Sequence, residues 1–197
     1  PNEGLIYLVC KKMSKKNKIV LTGEGADEIF FGYDKIFRWA INEKKLNLKR
    51  FIDLYGYSNV AKPTNRFLKY INKLNEKKKV INFIEDFFYD FHLPTLLRRM
   101  DFASMAASKE ARVPFVSKNI IENLYRKNPK IKINKSFSKI PLRKYIKNIK
   151  LDFVLDTNKI GFSAATDNKR GKFHNYSIFQ DIVLKTFKND YLKWKIK

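Results

Sequence analysis

Ile19-Val20-Leu21-Thr22-Gly23-Glu24-Gly25-Ala26-Asp27-Glu28-Ile29-Phe30-Phe31-Gly32-Tyr33 is the stretch that decides how this chain is to be read. Ile19 to Thr22 is a short apolar run between Lys18 and Gly23, the pattern of a buried strand. It breaks at Gly23, and apolar character at helical spacing resumes from Ile29. The expected order is strand, glycine loop, helix, which points to an α/β protein. A strand that hands Gly-x-Gly to a helix start turns free backbone N–H groups and a positive dipole end toward one spot, which favours a phosphate. Taken alone, Gly23 and Gly25 fit equally a tight turn followed by an acidic helix start at Asp27 and Glu28. Two carboxylates beside a phosphate are consistent once Mg²⁺ is added, because that ion commonly joins one or two carboxylates to phosphate oxygens. Asp27 is then the natural metal ligand.

Upstream, Leu5, Ile6, Val9 and Met13 recur at helical spacing, and Cys10 falls on their buried side, so it is expected in the core. Downstream, residues 34 to 92 are helical in pattern throughout. The stripe Phe83, Ile84, Phe87, Phe88 and Phe91 resembles a stacking platform for bases, but its helical spacing favours core packing. Pro94 is expected to open a helix over 95–108. Val113-Pro114-Phe115 must be extended or turned, because proline disfavours the helical region for the residue before it. Further helices are expected around 120–125, 138–149 and 175–188, with a surface loop over 156–172. There is no internal repeat, low-complexity linker or clear domain boundary.

The chain has 197 residues, of which 44% are hydrophobic, so wholesale disorder is excluded and about one domain is expected. The longest apolar run, Leu5 to Cys10, is far short of the about 20 residues that cross a bilayer. One cysteine and two distant histidines exclude a disulfide scaffold and a Cys/His zinc site. The formal net charge of +23 suggests nucleic acid, but it is carried by 33 lysines and only 9 arginines spread along the chain. Asparagine and isoleucine are also abundant, 18 and 20, the signature of an AT-rich genome, and the short lysine runs read as solvated helix faces. Against that background a retained arginine marks a place where a planar fork of donors matters; Arg98, Arg99, Arg112 and Arg143 cluster in one region.

The segment IVLTGEGADEIFFGYDKIF resembles the signature of the asparagine synthetases, a strand ending in Ser/Thr-Gly-Glu-Gly-x-Asp-Glu followed by an aromatic and Gly-Tyr. Leu96 to Phe115, LLRRMDFASMAASKEARVPF, is similar to that family's Arg-x-Asp-x-x-Ser-Met-Ala block. Ser138 to Arg143 resembles its Lys-x-x-Leu-Arg motif, and Lys159-Ile160-Gly161-Phe162 its Lys-x-Gly-Phe loop. The resemblance implies the mostly helical C-terminal part of an α/β, adenine-nucleotide alpha-hydrolase-like (PP-loop) synthetase domain, with residues 1–197 as one incomplete domain. It implies ATP and Mg²⁺ as cofactors and a ligase of the glutamine-hydrolysing asparagine synthase class. In that chemistry the aspartate carboxylate attacks the α-phosphorus, pyrophosphate leaves, and glutamine-derived ammonia displaces AMP. It further implies nucleotide contacts from Thr22, Gly23 and Gly25, a catalytic role for Glu24 in forming and aminating the adenylate, and Asp27 as metal ligand. Lys139 and Lys159 are implied at the phosphates, with Lys159 stabilising the transition state. Asp101, Glu110 and Arg112 come second, as substrate residues or, for Glu110 and Arg112, as an ion pair holding the loop at Pro114.

The family's Ser-Gly-Gly-x-Asp-Ser ATP loop and its N-terminal cysteine glutaminase domain do not occur in this sequence, and the chain starts at Pro1. The expectation is therefore a piece of a longer cytoplasmic synthetase, truncated upstream and inactive alone, with no membrane or nucleic-acid partner and with a homodimer left open. The family's acidic residue after Pro-Phe-Leu is replaced here by Ser117 after Val116, which keeps the ability to cap the next helix. Alternatives are amidation of a sugar acid or a peptide by the same adenylation, a basic nucleic-acid-binding module, and an inactive structural relative.

Overall fold

The computed structural model describes residues 3–55, 65–75 and 79–155, excepting the side chains of Leu5, Leu74 and Asn75. The helix expected over 175–188 and the loop over 156–172 lie outside the described residues. Among the described residues the chain is mostly helical, with one two-stranded sheet. It divides into two compact units. One comprises Pro1–Val20, Arg99–Arg112 and Asn158–Lys197, the other Leu21–Arg98 and Val113–Thr157.

In the first unit α1 (Glu3–Lys12) buries Ile6 and Cys10 against Met100 and Ala103 of α7 (Leu93–Ala106). Cys10 is thus the core residue its spacing predicts, whereas Val9 is 54% exposed. β1 (Ile19–Leu21) pairs with β2 (Glu110–Arg112), and Glu110 N donates to Lys18 O at 2.8 Å. The strand expected to be buried is not: Ile19 is 44% and Leu21 69% exposed, because a two-stranded sheet leaves its outward face uncovered. Lys109 is buried and its ammonium donates to the carbonyls of Ser14 and Asn17, which ties down the turn after α1.

In the second unit the helix after the glycine loop is a single turn, α2 (Ala26–Ile29), shorter than the pattern suggested. Then come α3 (Asp34–Asn42), α4 (Leu48–Tyr55), α5 (Asn65–Asn75) and α6 (Val80–Phe87). Phe83, Ile84, Phe87 and Phe88 are all but fully buried and pack with Phe37, Phe51 and Ile71. The aromatic stripe is therefore core. Phe51 meets Phe83 and Phe87 edge-on at 5.4 and 5.0 Å, and Phe87 stacks on Phe91 at 5.2 Å, spacings that add to simple area burial.

Pro94 does not restart the helix after a break. α6 continues through a π-helical turn, Phe88–His92, into α7, with Leu93 N donating to Phe88 O. A proline cannot donate to the carbonyl four residues back and its ring crowds that carbonyl, so the wider π turn accommodates it. After β2, Val113 to Ser117 forms the expected turn and α8 (Lys118–Leu124) follows. α9 (Ile140–Asn148) lies beyond two tight reversals at Arg126 and Lys139, whose φ values are +59° and +54°.

α6 carries two consecutive buried acids, and they organise the segment leading to α9. Asp86 accepts both oxygens' worth of bonds from Arg126 at 2.6 Å and one from the Tyr125 hydroxyl at 2.6 Å. Glu85 accepts from the Arg126 backbone and from the fully buried Lys132 ammonium. Lys132 also lies over the Phe31 ring at 3.9 Å, and its carbonyl accepts from Ile140 N at 3.0 Å, closing the loop 132–140 at its base.

Candidate active site

The loop between β1 and α2 is held by local bonds. Thr22 Oγ1 accepts from Glu24 N at 3.2 Å, and Gly23 O from Ala26 N at 3.3 Å. Gly25 has φ +88°, a conformation glycine adopts at no steric cost, and a Cβ there would overlap the Val116 side chain. Gly23 is exposed, and a Cβ built on it would meet nothing within 4 Å, so the face of the loop above it is open. Thr22 and Glu24 are half-buried beside that opening.

Asp27 stands one turn on, and Lys139 reaches it from a distant part of the sequence: Nζ lies 2.7 Å from Asp27 Oδ1, each side chain 28% exposed. Lys139 is the N-cap residue of α9 in the left-handed conformation, which costs an L-residue about 1–2 kcal/mol. The turn is braced by Arg143, whose Nε donates to Ser138 O and whose N donates to Lys139 O, both at 3.0 Å. Arg143, a motif arginine, thus holds the backbone that presents Lys139.

Glu28 points the other way. It is 1% exposed and accepts from the Tyr33 hydroxyl at 2.6 Å, with His92 Nε2 at 3.5 Å and Tyr55 on the other histidine nitrogen at 2.8 Å. Burial raises its carboxyl above the ordinary value; the Tyr33 bond opposes this, and the charges of Asp27 and Glu24 reinforce it. Asp27 and Glu28 are therefore not an interchangeable acidic helix start: one serves the open loop and the other anchors α2 to the core.

Asp27, ion-paired to Lys139, is the loop residue that could hold a divalent cation. Asp27 offers a hard carboxylate oxygen at the open loop, and no group of three His, Cys, Asp or Glu gathers among the described residues. A single carboxylate leaves the remaining positions to phosphate oxygens and water.

Thr22, Gly23, Glu24, Gly25, Asp27 and Lys139 belong to one unit, and Lys139 is the member that folding brings in. Lys159 lies outside the described residues. Asp101, Glu110 and Arg112 belong to the other unit. There Arg112 Nε donates to Glu110 Oε1 at 2.8 Å, a pair in which both side chains are 56% exposed. Such a pair contributes about 0.2–1 kcal/mol. Ser117 caps α8 as its position predicts, accepting from Ile120 N at 3.4 Å.

The sequence model of asparagine synthase matches residues 3–177. The chain belongs to the asparagine synthase family. It is also 28% identical, over 171 residues, to the asparagine synthetase (glutamine-hydrolyzing) 3 of Bacillus subtilis (strain 168). That match takes in 76% of this chain and 27% of the relative, so the chain spans about a quarter of the relative's length. No solved structure matches. Among its described residues the chain has no helix long and apolar enough to cross a membrane. Its loop at Thr22–Asp27 falls within the family match, as do Lys139 and Arg143. Gly32 stands in the Gly-Tyr of the signature, where the resemblance gives it no role of its own, and Lys132 and the Glu85–Asp86 pair carry no motif signal.

Proposed function

We propose that this chain carries part of the synthetase site of a cytoplasmic, glutamine-hydrolysing asparagine synthetase, within the C-terminal part of a PP-loop α/β domain. The observation that carries the reading is the Asp27–Lys139 pair set beside an open, glycine-lined loop. An ATP-dependent amidation needs hard oxygen for the metal, cations for the phosphates and a carboxylate near the reacting carbonyl, and these residue types meet here. Asp27 would hold Mg²⁺, which neutralises phosphate charge and orients the leaving pyrophosphate. Thr22, Gly23 and Gly25 bind the nucleotide, Gly23 at the exposed edge of the loop and Gly25, itself buried, by holding the turn. The α2 helix is a single turn with little dipole, so the cationic contribution falls to side chains.

Lys139 moves from Asp27 to the phosphates, or bridges both, as negative charge grows on the departing pyrophosphate. Lys159 supplies the second ammonium; its support is the Lys-x-Gly-Phe motif. Aspartate oxygen attacks the α-phosphorus, the bond to the β-phosphate oxygen breaks, and β-aspartyl-AMP results. Ammonia then attacks the acyl carbon, Glu24 takes up the proton that the attacking nitrogen loses, and AMP leaves.

The test is pyrophosphate release by the protein that contains this chain, with ATP, Mg²⁺ and a panel of acceptors: aspartate, sugar acids and a peptide carboxylate. The expected result is aspartate-dependent release that falls at least about 100-fold in kcat in Lys139→Ala, the scale of losing one preorganised charge contact. Release that depends on another acceptor would replace aspartate as substrate. Release unchanged in both Lys139→Ala and Asp27→Asn would remove this site from the chemistry.

A further inference from the structure

Gly32 occupies a position that ordinary turn geometry does not explain. Its N–H donates to Asp27 O at 2.7 Å, the long bond of a helix-ending Schellman turn in which the preceding residue is left-handed. Glycine usually fills that left-handed place, yet here it is Phe31, at φ +60°. Gly32 follows it without a positive φ of its own, since among the described glycines only Gly25 has one. Backbone freedom therefore does not call for glycine at this position.

Space does. A Cβ on Gly32 would overlap Asp27 Oδ1 and Lys139 Cε and lie 2.7 Å from Asp27 Cγ. The backbone has little freedom to yield. Phe31 is stacked on Phe37 at 3.9 Å and lies under the buried Lys132 ammonium. The base of the Lys139 loop is closed by the bond from Ile140 N to Lys132 O. With both main chains pinned, only the Asp27 and Lys139 side chains can move aside.

We propose that Gly32 is a positioning residue, kept free of a side chain so that Asp27 and Lys139 meet directly over it; its catalytic consequence rests on the function proposed above. Substituting Gly32→Ala separates the two charges while leaving the loop at Thr22–Gly25 intact.

Two readouts on the full chain test this. In the first, lysines are acetylated with a trace of acetic anhydride and modification at Lys139 is quantified by mass spectrometry against the exposed Lys118. Gly32→Ala is expected to raise Lys139 labelling about three- to fivefold, the worth of a partly exposed ion pair. Asp27→Asn is expected to do the same, and the double variant to go no further than Asp27→Asn. Unchanged labelling in Gly32→Ala, or effects that multiply in the double variant, overturns the proposal. If Gly32→Ala fails to fold, Gly32→Ala/Asp27→Ala/Lys139→Ala must fold as Asp27→Ala/Lys139→Ala does, because both overlapping side chains are then gone; failure there overturns it equally.

The second readout is pyrophosphate release by the protein that contains this chain. Gly32→Ala is expected to lower kcat about tenfold or more with an unchanged melting temperature, and Gly32→Ala/Lys139→Ala to fall no lower than Lys139→Ala. Full activity in Gly32→Ala overturns the proposal while leaving the proposed function standing. Labelling as expected with no pyrophosphate release from the unaltered protein refutes the proposed function and leaves the geometry of Gly32 standing.

Discussion

Lys132→Met offers the sharpest test of how the scaffold behind the site is built. Lys132 is 0% exposed, its partner Glu85 has 3% of its side chain exposed, and the ammonium also covers the Phe31 ring at 3.9 Å. Burial depresses its affinity for the proton, and the Glu85 carboxylate pulls the other way. Methionine matches the stem of the lysine but removes the charge, so Glu85 keeps one backbone bond from Arg126 and loses its counter-ion. Removing one member of a buried pair costs about 3–5 kcal/mol, because the other charge stays behind without compensation. For a chain of this size that lowers the melting temperature by about 6–20 °C. The assay is thermal unfolding followed by circular dichroism, with urea titration as a second measure. Replacing both partners, Lys132→Met with Glu85→Leu, should return stability to within about 2 kcal/mol of the original, since apolar packing substitutes for a buried pair at little net cost. A single variant melting within about 2 °C of the unaltered chain would refute the reasoning.

Gly25→Ala should cost about 1–2 kcal/mol from its φ of +88° plus a clash with Val116; adding Val116→Ala should recover the second part only, as urea midpoints will show. Ser117→Ala should lower stability by about 0.5–1 kcal/mol in the same titration, the low end for a cap because the bond is long, 3.4 Å. Burial pushes the Tyr70 hydroxyl up to about 12, and Asp90 and Asp86 add to the effect. The folded chain therefore holds that proton more tightly than the unfolded one, and stability present below pH 10 is lost as pH rises toward 12. Tyr70→Phe should flatten that alkaline decline in urea titrations across pH. It should cost nothing at neutral pH, since the hydroxyl has no hydrogen-bond partner among the described residues.

Much of the architecture was legible because it rests on local pattern. Cys10 and the stripe from Phe83 to Phe91 fall on buried faces by helical spacing alone, and Ser117 stands where a cap belongs. What eluded the sequence depends on partners far along the chain. The burial of Ile19 and Leu21 was overestimated because an apolar run does not say how many strands lie beside it. The run after Gly25 suggested a helix of ordinary length, but Phe31 turns left-handed to bury its ring against Phe37 and Lys132. Lys132 itself was hidden by composition: in a chain with 33 lysines, one of them buried against an acid looks like any other. The candidate site was visible in its motifs, whereas the meeting of Lys139 with Asp27, and the glycine beneath them, required three dimensions.

The central claim, that a carboxylate is activated by adenylation at this loop, is tested most directly by oxygen transfer. The protein that contains this chain is supplied with ATP, Mg²⁺, an ammonia source and aspartate labelled with ¹⁸O in its side-chain carboxylate, and the nucleotide product is analysed by mass spectrometry. The account predicts AMP carrying one ¹⁸O from aspartate, lost when Lys139 is replaced by alanine. Label appearing in inorganic phosphate with ADP as the nucleotide product, or asparagine formed with unlabelled AMP, would contradict it.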